Sequence, residues 1–274
     1  MKFTKKSCQL ISPIQVGEKL LTQRDWIEVK SAEMTCALAP LPGLHSETLE
    51  ESYTDFISNR FSTPSALFVK EAFDQNLFSC DEVKENKLSY IDLSLSPTDF
   101  LYKYNENDVV KLKVNRGDLK LEKKWLLELF RSNKKNILFR LDANRSLTLT
   151  QLDFLVSGLD HSMIEYLEEP LKHLAEWELA SQNISIPLAL DENIKERESI
   201  SNVSTLVVKP SFNLSISETI KEIERRKYKI TISSSFDPPE NMATLKYLAK
   251  MSGCYAGLDT LKYLDLATIK NSPL

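Results

Sequence analysis

The stretch Ile137-Leu138-Phe139-Arg140-Leu141-Asp142 decides the fold, because it is a short apolar run that ends on a carboxylate. Residues 148–159 have the spacing of an amphipathic helix, and the next apolar run, residues 163–168, again ends on a carboxylate. Short apolar runs that alternate with helical stretches are typical of parallel strands joined by helices. This part of the chain therefore predicts βαβ units and an α/β fold.

The same alternation extends in both directions from this stretch. Strands are predicted at residues 90–95, 109–114, 137–142, 163–168, 186–191, 205–209, 229–234 and 254–257, and helices at 121–132, 148–159, 217–226 and 240–251. Ser217 is expected to be the N-cap of its helix, with Glu218 in the first turn. The number of strands predicts a parallel (β/α) TIM-type barrel, and an open doubly wound sheet is the alternative.

The first 88 residues have a different pattern. Alternating segments at residues 2–7 and 26–29 precede a turn-rich segment at 39–43, and helical patterns follow at 46–59 and 64–77. We therefore predict an α+β domain at residues 1–88 and a barrel domain at 89–274, whose C-terminal end can pack back on the first domain.

Composition excludes several functional classes. With 42% hydrophobic and 27% charged residues in 274, the chain can bury a core, and its net charge of −4 argues against nucleic-acid and anionic-membrane partners. Only 6 residues are glycine, and neither the dinucleotide-binding nor the P-loop glycine motif occurs. Four scattered cysteines, Cys8, Cys36, Cys80 and Cys254, favour free thiols over a zinc site. Without an apolar run of membrane length, we expect a cytoplasmic protein.

Polar residues stand at the carboxyl ends of the predicted strands, where (β/α) barrels place their active sites. In chain order they are Lys111 and Lys113, Asp142, Glu168, Asp191, Lys209, and Ser233 to Ser235. The three carboxylates are 26 and 23 residues apart, about one βα unit each. Three oxygen ligands without His or Cys suit Mg²⁺, with Mn²⁺ as the alternative.

The lysines and an arginine complete this candidate site. Lys111 and Lys113 alternate on one strand, so both face the same way, and Lys113 is the candidate base. A cation that holds an enediolate beside a base is what proton abstraction next to a carboxylate requires. Arg140 precedes Asp142 by two residues and could bind a substrate anion.

Each of these features has an ordinary structural explanation. Lys-x-Lys is common on exposed edges, Asp191-Glu192 could begin a helix, and the serines could form a polar turn. The ordered series of polar residues on successive strands favours the functional interpretation. His45, His161 and His173 lie outside the series, and nothing supports a Ser-His-Asp triad.

These segments resemble the enolase superfamily, in the branch of muconate lactonising enzymes, dipeptide epimerases and o-succinylbenzoate synthases. The segments that carry the resemblance are Lys111-Leu112-Lys113, Arg140 to Asn144, Leu167 to Pro170, Asp191-Glu192, Val208 to Pro210 and Ser233 to Ser235. Within this branch the sequence most resembles the synthases. The segments that suggest this are Ala39 to Gly43 followed by Ser46-Glu47-Thr48, and Gly257-Leu258-Asp259-Thr260.

The resemblance implies an α+β capping domain over a modified barrel and a small-molecule carboxylate substrate. It makes Asp142, Glu168 and Asp191 the metal ligands, with Glu168 preferred over Glu169. Lys113 becomes the base, which returns its proton to the departing hydroxyl, and Lys209 supports the enediolate from the opposite face. Substrate contacts are expected from Lys111, Arg140, Asn144, Ser233, Ser234 and Ser235.

Three functions remain open from the sequence. The first is syn dehydration of the cyclohexadiene carboxylate precursor to o-succinylbenzoate in menaquinone biosynthesis. The second is a dipeptide epimerase or N-acylamino acid racemase that uses Lys113 and Lys209 as opposed bases. The third is a catalytically inactive barrel that serves as a scaffold. The presence of all three carboxylates and both catalytic lysines argues against this third function.

Overall fold

The computed structural model describes residues 1–31, 34–78, 82–272 and 274. The described chain divides into two compact units, one of Met1–Lys84 with Val208–Leu274 and one of Glu85–Val207. The domain boundaries predicted from the sequence, 1–88 and 89–274, differ from this division and stay a prediction. Each unit is described in turn below.

The helices and strands follow in chain order. They are β1 (Lys2–Val16), β2 (Lys19–Lys30), β3 (Thr35–Leu38), α1 (Leu49–Ile57), α2 (Pro64–Asp74), β4 (Lys87–Tyr90), α3 (Pro97–Leu101), β5 (Val109–Lys113), α4 (Leu119–Ser132), β6 (Leu138–Asp142), α5 (Leu149–Val156), β7 (Ile164–Glu168), α6 (Trp177–Asn183), β8 (Leu188–Leu190), β9 (Val203–Val208), α7 (Ile216–Arg225), β10 (Lys229–Ile232), α8 (Pro239–Ser252) and β11 (Leu264–Ser272), with short 3₁₀ turns at His161–Met163, Leu174–Glu176, Ile194–Glu196 and Leu261–Tyr263.

The first unit contains an antiparallel sheet of order β11-β1-β2-β3. The predicted segments at 2–7 and 26–29 are parts of the much longer strands β1 and β2, which pair as a hairpin. One face of this sheet buries a cluster that includes Cys8, Trp26 and Leu264, so the C-terminal strand completes the same core.

The hairpin between β1 and β2 turns at Gly17 against Gly43. Gly43 has φ +90°, and a Cβ there would lie 2.2 Å from the carbonyl oxygen of Val16. Backbone approaches this close require glycine, because any side chain would overlap the facing carbonyl. The β1–β2 turn and the turn-rich segment at 39–43 therefore pack closely against each other at this point.

The second unit supplies the parallel strands β4 to β9, which pair in sequence order. Helices α3 to α6 connect these strands, which is the arrangement that alternating apolar runs predict. The predicted α/β fold class, with a curled parallel sheet and an N-terminal antiparallel sheet, is confirmed.

Three local predictions were wrong. The first barrel strand is β4 rather than residues 90–95, because Asp92 and Ser94 form a turn and Ser96 caps α3. Residues 254–257 do not form a strand: Ala256 and Gly257 bond to Lys84 on one side and to Ile232 and Ser234 on the other, as an isolated bridge.

The third correction concerns the N-terminus of α7. Ser215, not Ser217, is its N-cap, because the Ser215 hydroxyl accepts the Glu218 N–H and the Glu218 carboxylate accepts the Ser215 N–H. Such a reciprocal capping box satisfies two donors that the helix leaves free.

The structure bears on the predictions about membrane-spanning segments and about the cysteines. No helix within the described ranges is both long and apolar enough to cross a membrane. Cys8, Cys36 and Cys254 are free thiols, and Cys80 lies outside the described residues.

Candidate active site

Strand register places three predicted residues in one row at the carboxyl ends of β5, β6 and β7. Lys113 pairs with Asp142, and Asp142 pairs with Glu168. Because side chains in neighbouring parallel strands point the same way at paired positions, all three face one side of the sheet. The row is a consequence of the register, and it belongs wholly to the second unit.

A second row lies two residues earlier on the same strands. There Lys111 pairs with Arg140, and Arg140 pairs with Tyr166. Alternation puts this row on the same face, one layer below the first. The lower row is the floor of the candidate site.

The lysines form ion pairs with the carboxylates of the upper row. The Nζ of Lys111 lies 3.1 Å from Oδ2 of Asp142 and 2.6 Å from Oε1 of Glu168, and the Nζ of Lys113 lies 2.8 Å from Oδ2 of Asp142. The carboxylates are almost completely buried, whereas the Lys113 side chain is 21% exposed. Lys113 is thus the charged group of this cluster with the most access to solvent.

Burial and charge act in opposite directions in this cluster. Burial by itself would lower the pKa of Lys111, but Asp142 and Glu168 raise it above the ordinary lysine value. Burial would raise the pKa of Asp142, but Lys111 and Lys113 hold it well below its usual range. Asp142 therefore stays a carboxylate.

Glu168 differs from Asp142. Burial raises the pKa of Glu168 to about 7, Lys111 opposes this, and the charges of Asp142 and Asp191 add to it. Its Oε2 is buried and has no hydrogen-bond partner. When Glu168 is ionised, no hydrogen bond compensates the burial of this oxygen, and a bound cation would do so.

The donor chemistry of the carboxylates fits a hard divalent cation. One ammonium already lies within 3.1 Å of oxygens from both Asp142 and Glu168, and Glu168 keeps a bare oxygen. As the side chains stand, no set of three or more His, Cys, Asp or Glu groups in the described chain is close enough to share a metal ion. The carboxylates thus have the ligand chemistry that suits Mg²⁺, while their present positions do not bring three of them to one point.

Asp191 follows β8 and is held by the neighbouring strand end. Its backbone N–H donates to Oε1 of Glu169 at 2.9 Å, and Asn193 donates to the same carboxylate through its backbone N–H and its side-chain amide. Glu169 thus contacts this loop, while Glu168 contacts Lys111.

Arg140 is not open to a substrate anion, which corrects the expectation that it binds one. Its side chain is fully buried, with Nε donating to Glu165 at 2.7 Å and Nη1 donating to Asn86 at 2.8 Å. The guanidinium also lies 4.9 Å from the ring centre of Tyr166. Arg140 is on the predicted face but in the lower row, where it packs the floor.

Asn144 lies in the turn after β6. It is exposed, has φ +49°, and its backbone N–H donates to Oδ1 of Asp142 at 2.9 Å. The turn therefore orients the Asp142 carboxylate, and the substrate contact expected of the Asn144 side chain stays a prediction.

Lys209 and the serines belong to the first unit. The carbonyl of Lys209 accepts the N–H groups of Phe212 and Asn213, so a tight turn follows β9 directly. Ser234 and Ser235 are buried and donate their hydroxyls to the carboxylate of Asp237, at 3.3 and 3.1 Å. Those hydroxyls already have a partner in the protein, and the roles of Lys209 and the serines stay predictions.

Sequence reasoning missed Tyr166 and Asn193, and it considered Glu169 only as the less preferred alternative to Glu168. Tyr166 could have been found, because it precedes Glu168 by two residues on the same strand and must share its face. Nothing local marks the contact between Glu169 and Asn193, since it joins two loops.

No protein-family model matches the chain. The chain is 27% identical to the o-succinylbenzoate synthase of Aliivibrio fischeri strain MJ11, over 91% of its own length and 86% of that protein. The resemblance to the enolase superfamily is confirmed.

Solved structures of the enolase superfamily share the fold of this chain over 96% to 100% of its length. The o-succinylbenzoate synthase of Thermosynechococcus elongatus BP-1, complexed with Mg in the active site, has a TM-score of 0.76 at 17% identity, covering 100% of this chain and 95% of that one. A dipeptide epimerase of Enterococcus faecalis V583, complexed with Mg and L-Leu-L-Tyr, has a TM-score of 0.74 at 14% identity, covering 96% and 90%. At these identities the likeness shows the fold alone.

Proposed function

We propose that this protein is an enzyme, a metal-dependent carbon–oxygen lyase that dehydrates the cyclohexadiene precursor to o-succinylbenzoate. The observation that carries the proposal is its sequence similarity to an o-succinylbenzoate synthase over 91% of the chain. The row of Lys113, Asp142 and Glu168 supports it, because it combines a partly exposed amine with carboxylates on one face.

Asp142, Glu168 and Asp191 are proposed to hold Mg²⁺, and Mn²⁺ is an alternative with the same ligand preference. When bound, the ion supplies a Lewis acid for the substrate's carboxylate oxygens. The bare Oε2 of Glu168 and the low pKa of Asp142 support these two residues as anionic ligands.

Lys113 is proposed to move the proton. The Lys113 side-chain nitrogen takes the proton from the substrate carbon next to the carboxylate, and the electron pair passes into an enediolate. The bond from carbon to the hydroxyl then breaks, the same proton goes to the departing oxygen, and water leaves as the ring becomes aromatic. The ammonium of Lys209 is proposed to stabilise the enediolate charge, as the resemblance implies.

Turnover of the cyclohexadiene precursor, compared with a panel of dipeptides and N-acylamino acids, tests this reaction. We expect release of o-succinylbenzoate and no appreciable racemisation of the panel. The alternative, a dipeptide epimerase or N-acylamino acid racemase, has only a likeness in fold to support it. Rapid epimerisation without dehydration would make that alternative the correct function, and turnover of neither substrate class would favour an inactive scaffold.

Lys209→Arg separates the two reactions further. Guanidinium keeps the charge but stays protonated, so it cannot act as a base. Residual dehydration in this variant is expected of a dehydratase, whereas an epimerase that uses Lys209 as its second base would lose isomerisation in both directions.

Metal removal tests the carboxylate assignment. Activity should vanish after chelation and return with Mg²⁺, and Asp191→Asn should abolish it while the protein remains folded by circular dichroism. Full turnover by metal-free protein would contradict the assignment of the three carboxylates.

A further inference from the structure

We infer that Glu169 is a positioning residue, which sets the direction in which the β8 loop presents Asp191. This inference rests on the proposed function, because Asp191 is there a ligand of the divalent cation. Glu169 itself is not placed among the ligands.

The hydrogen bonds of Glu169 carry the inference. Its Oε1 accepts the backbone N–H groups of Asp191 at 2.9 Å and Asn193 at 3.0 Å, and its Oε2 accepts the side-chain amide of Asn193 at 2.7 Å. The residue is 3% exposed. A buried carboxylate with three donors from one loop fixes that loop, because leaving any of them unpaired is costly.

The backbone of Glu169 is held as firmly as its side chain. It has φ +41°, a conformation that non-glycine residues adopt at a cost and keep only where the surroundings impose it. Its N–H donates to the carbonyl of Ala189 at 3.1 Å, and its carbonyl accepts the Arg145 N–H at 2.6 Å. Glu169 therefore joins the turns after β6, β7 and β8, and its unusual φ lets it point to the β8 loop while Glu168 points to Lys111.

Groups that orient a metal ligand typically change metal affinity by about 10- to 100-fold when removed. We therefore expect Glu169→Ala to raise the Kd for Mg²⁺, measured by isothermal titration calorimetry, at least about tenfold. Glu169→Asp keeps the charge, but its side chain is one methylene shorter and cannot make the same hydrogen bonds. It should therefore weaken Mg²⁺ binding as well. Glu169→Gln keeps one acceptor for the two backbone donors but sets its amide against the Asn193 amide, so it should raise the Kd by less than Glu169→Ala does.

Glu192→Ala is the matched control. Glu192 is an acid beside Asp191 in the same loop, but its partner is Arg145. Removing it changes the local charge by the same amount without touching the Glu169 bonds, so the Kd for Mg²⁺ should hardly change. At saturating Mg²⁺ the kcat of Glu169→Ala should recover most of its loss, whereas Asp191→Asn should not recover.

Several outcomes would overturn the inference. If Glu169→Ala lowers the Tm but leaves the Kd for Mg²⁺ unchanged, Glu169 stabilises the loop and has no role in orienting Asp191. Equal loss in Glu169→Gln and Glu192→Ala, with Glu169→Asp unaffected, would mean that charge alone matters. If Glu169→Ala does not fold, Asn193→Ala removes one of the three bonds and should raise the Kd by a smaller factor, and no rise would contradict the inference. Failure of the unmodified protein to bind Mg²⁺ would instead refute the proposed function.

Discussion

Two buried carboxylate clusters, one in each compact unit, compensate their charge in different ways. In the second unit, Asp142 and Glu168 face the ammonium groups of Lys111 and Lys113, and one glutamate oxygen has no hydrogen-bond partner. In the first unit, Asp237 accepts bonds from hydroxyls, a backbone N–H and the amide of Asn241. Ammonium ions therefore balance the charge of the Asp142–Glu168 cluster in the second unit. Mainly neutral dipoles balance the charge of Asp237 in the first unit.

The difference indicates which cluster can change its partner. Asp237 is 1% exposed, and its donors come from Ser211, from the Ser234–Ser235 turn and from α8, so it can release them only if that region unfolds. A lysine ammonium is a point charge on a flexible stem, which can move aside for another cation. The ionic cluster is therefore suited to binding, and the Asp237 cluster is suited to holding the β10 end in place.

The largest expected effect is on the ionic cluster. Lys113→Ala should lower kcat for dehydration by about 10² to 10⁴, because it removes the proposed general base. Exchange of the substrate α-proton with solvent deuterium, followed by NMR, should be lost too. Lys120→Ala, an exposed lysine of α4, is the control and should leave both unchanged. Near-normal exchange in Lys113→Ala would place the base elsewhere.

Next in size is the stability effect of the dipolar cluster. Asp237→Asn should lower the free energy of unfolding by about 2–4 kcal/mol, since it sets an amide donor against N–H and O–H donors in a buried site. The variant also removes a negative charge that stabilises the buried guanidinium of Arg24. Burial lowers the pKa of Arg24 to about 10, and the charge of Asp237 acts against this shift. Urea denaturation measures the loss. Asp259→Asn, which breaks the more exposed ion pair with Lys262, should cost less than about 1 kcal/mol.

Glu168→Gln should behave in the opposite way to Asp237→Asn. Because burial raises the pKa of Glu168 from 4.5 to about 7, the unfolded chain loses this proton first as the pH rises. Stability of the unmodified protein should therefore fall between pH 4.5 and 7, and at pH 8 the variant should be more stable by about 1 kcal/mol. Urea denaturation at pH 5 and pH 8 tests the sign. Equal pH dependence in both proteins would contradict it.

The smallest expected effect concerns His45, which lies beside the Asp237 cluster in the first unit. Its Nδ1 accepts the Leu41 N–H at 3.0 Å, and its Nε2 donates to the carbonyl of Ser211 at 2.8 Å. Burial lowers the pKa of His45, so the unfolded chain binds the proton first as the pH falls below 6.5. Unfolding at pH 7 and pH 5 should show a loss of under about 1 kcal/mol that His45→Asn lacks. The same loss in the variant would assign it to other groups.

Prediction from sequence succeeded where the signal is local. The helices α2, α4 and α8 overlap their predicted ranges, because the spacing of apolar residues along a helix is a property of neighbouring residues. The ends were less accurate. Ser215 and Ser217 are both good N-caps by residue type, and only the bond from Glu218 back to Ser215 distinguishes them.

The candidate site shows the same limit. Alternation along β6 predicts that Arg140 and Asp142 share a face, and they do, but it does not give their depth. Depth depends on Asn86 and Glu165, which approach Arg140 from other strands and loops. The adjacent Glu168 and Glu169 have the same chemistry, and the left-handed φ of Glu169 separates their partners.

The sequence by itself determined the α/β alternation and the series of polar residues at the ends of β5, β6 and β7, because both depend on periodicity within one segment. Only the tertiary structure decided which charges meet. The pair of Lys111 and Glu168 joins residues 57 apart, and that of Arg140 and Asn86 joins residues 54 apart. Such contacts depend on strand register and on the low dielectric of the buried site, which arise only when the sheet has formed.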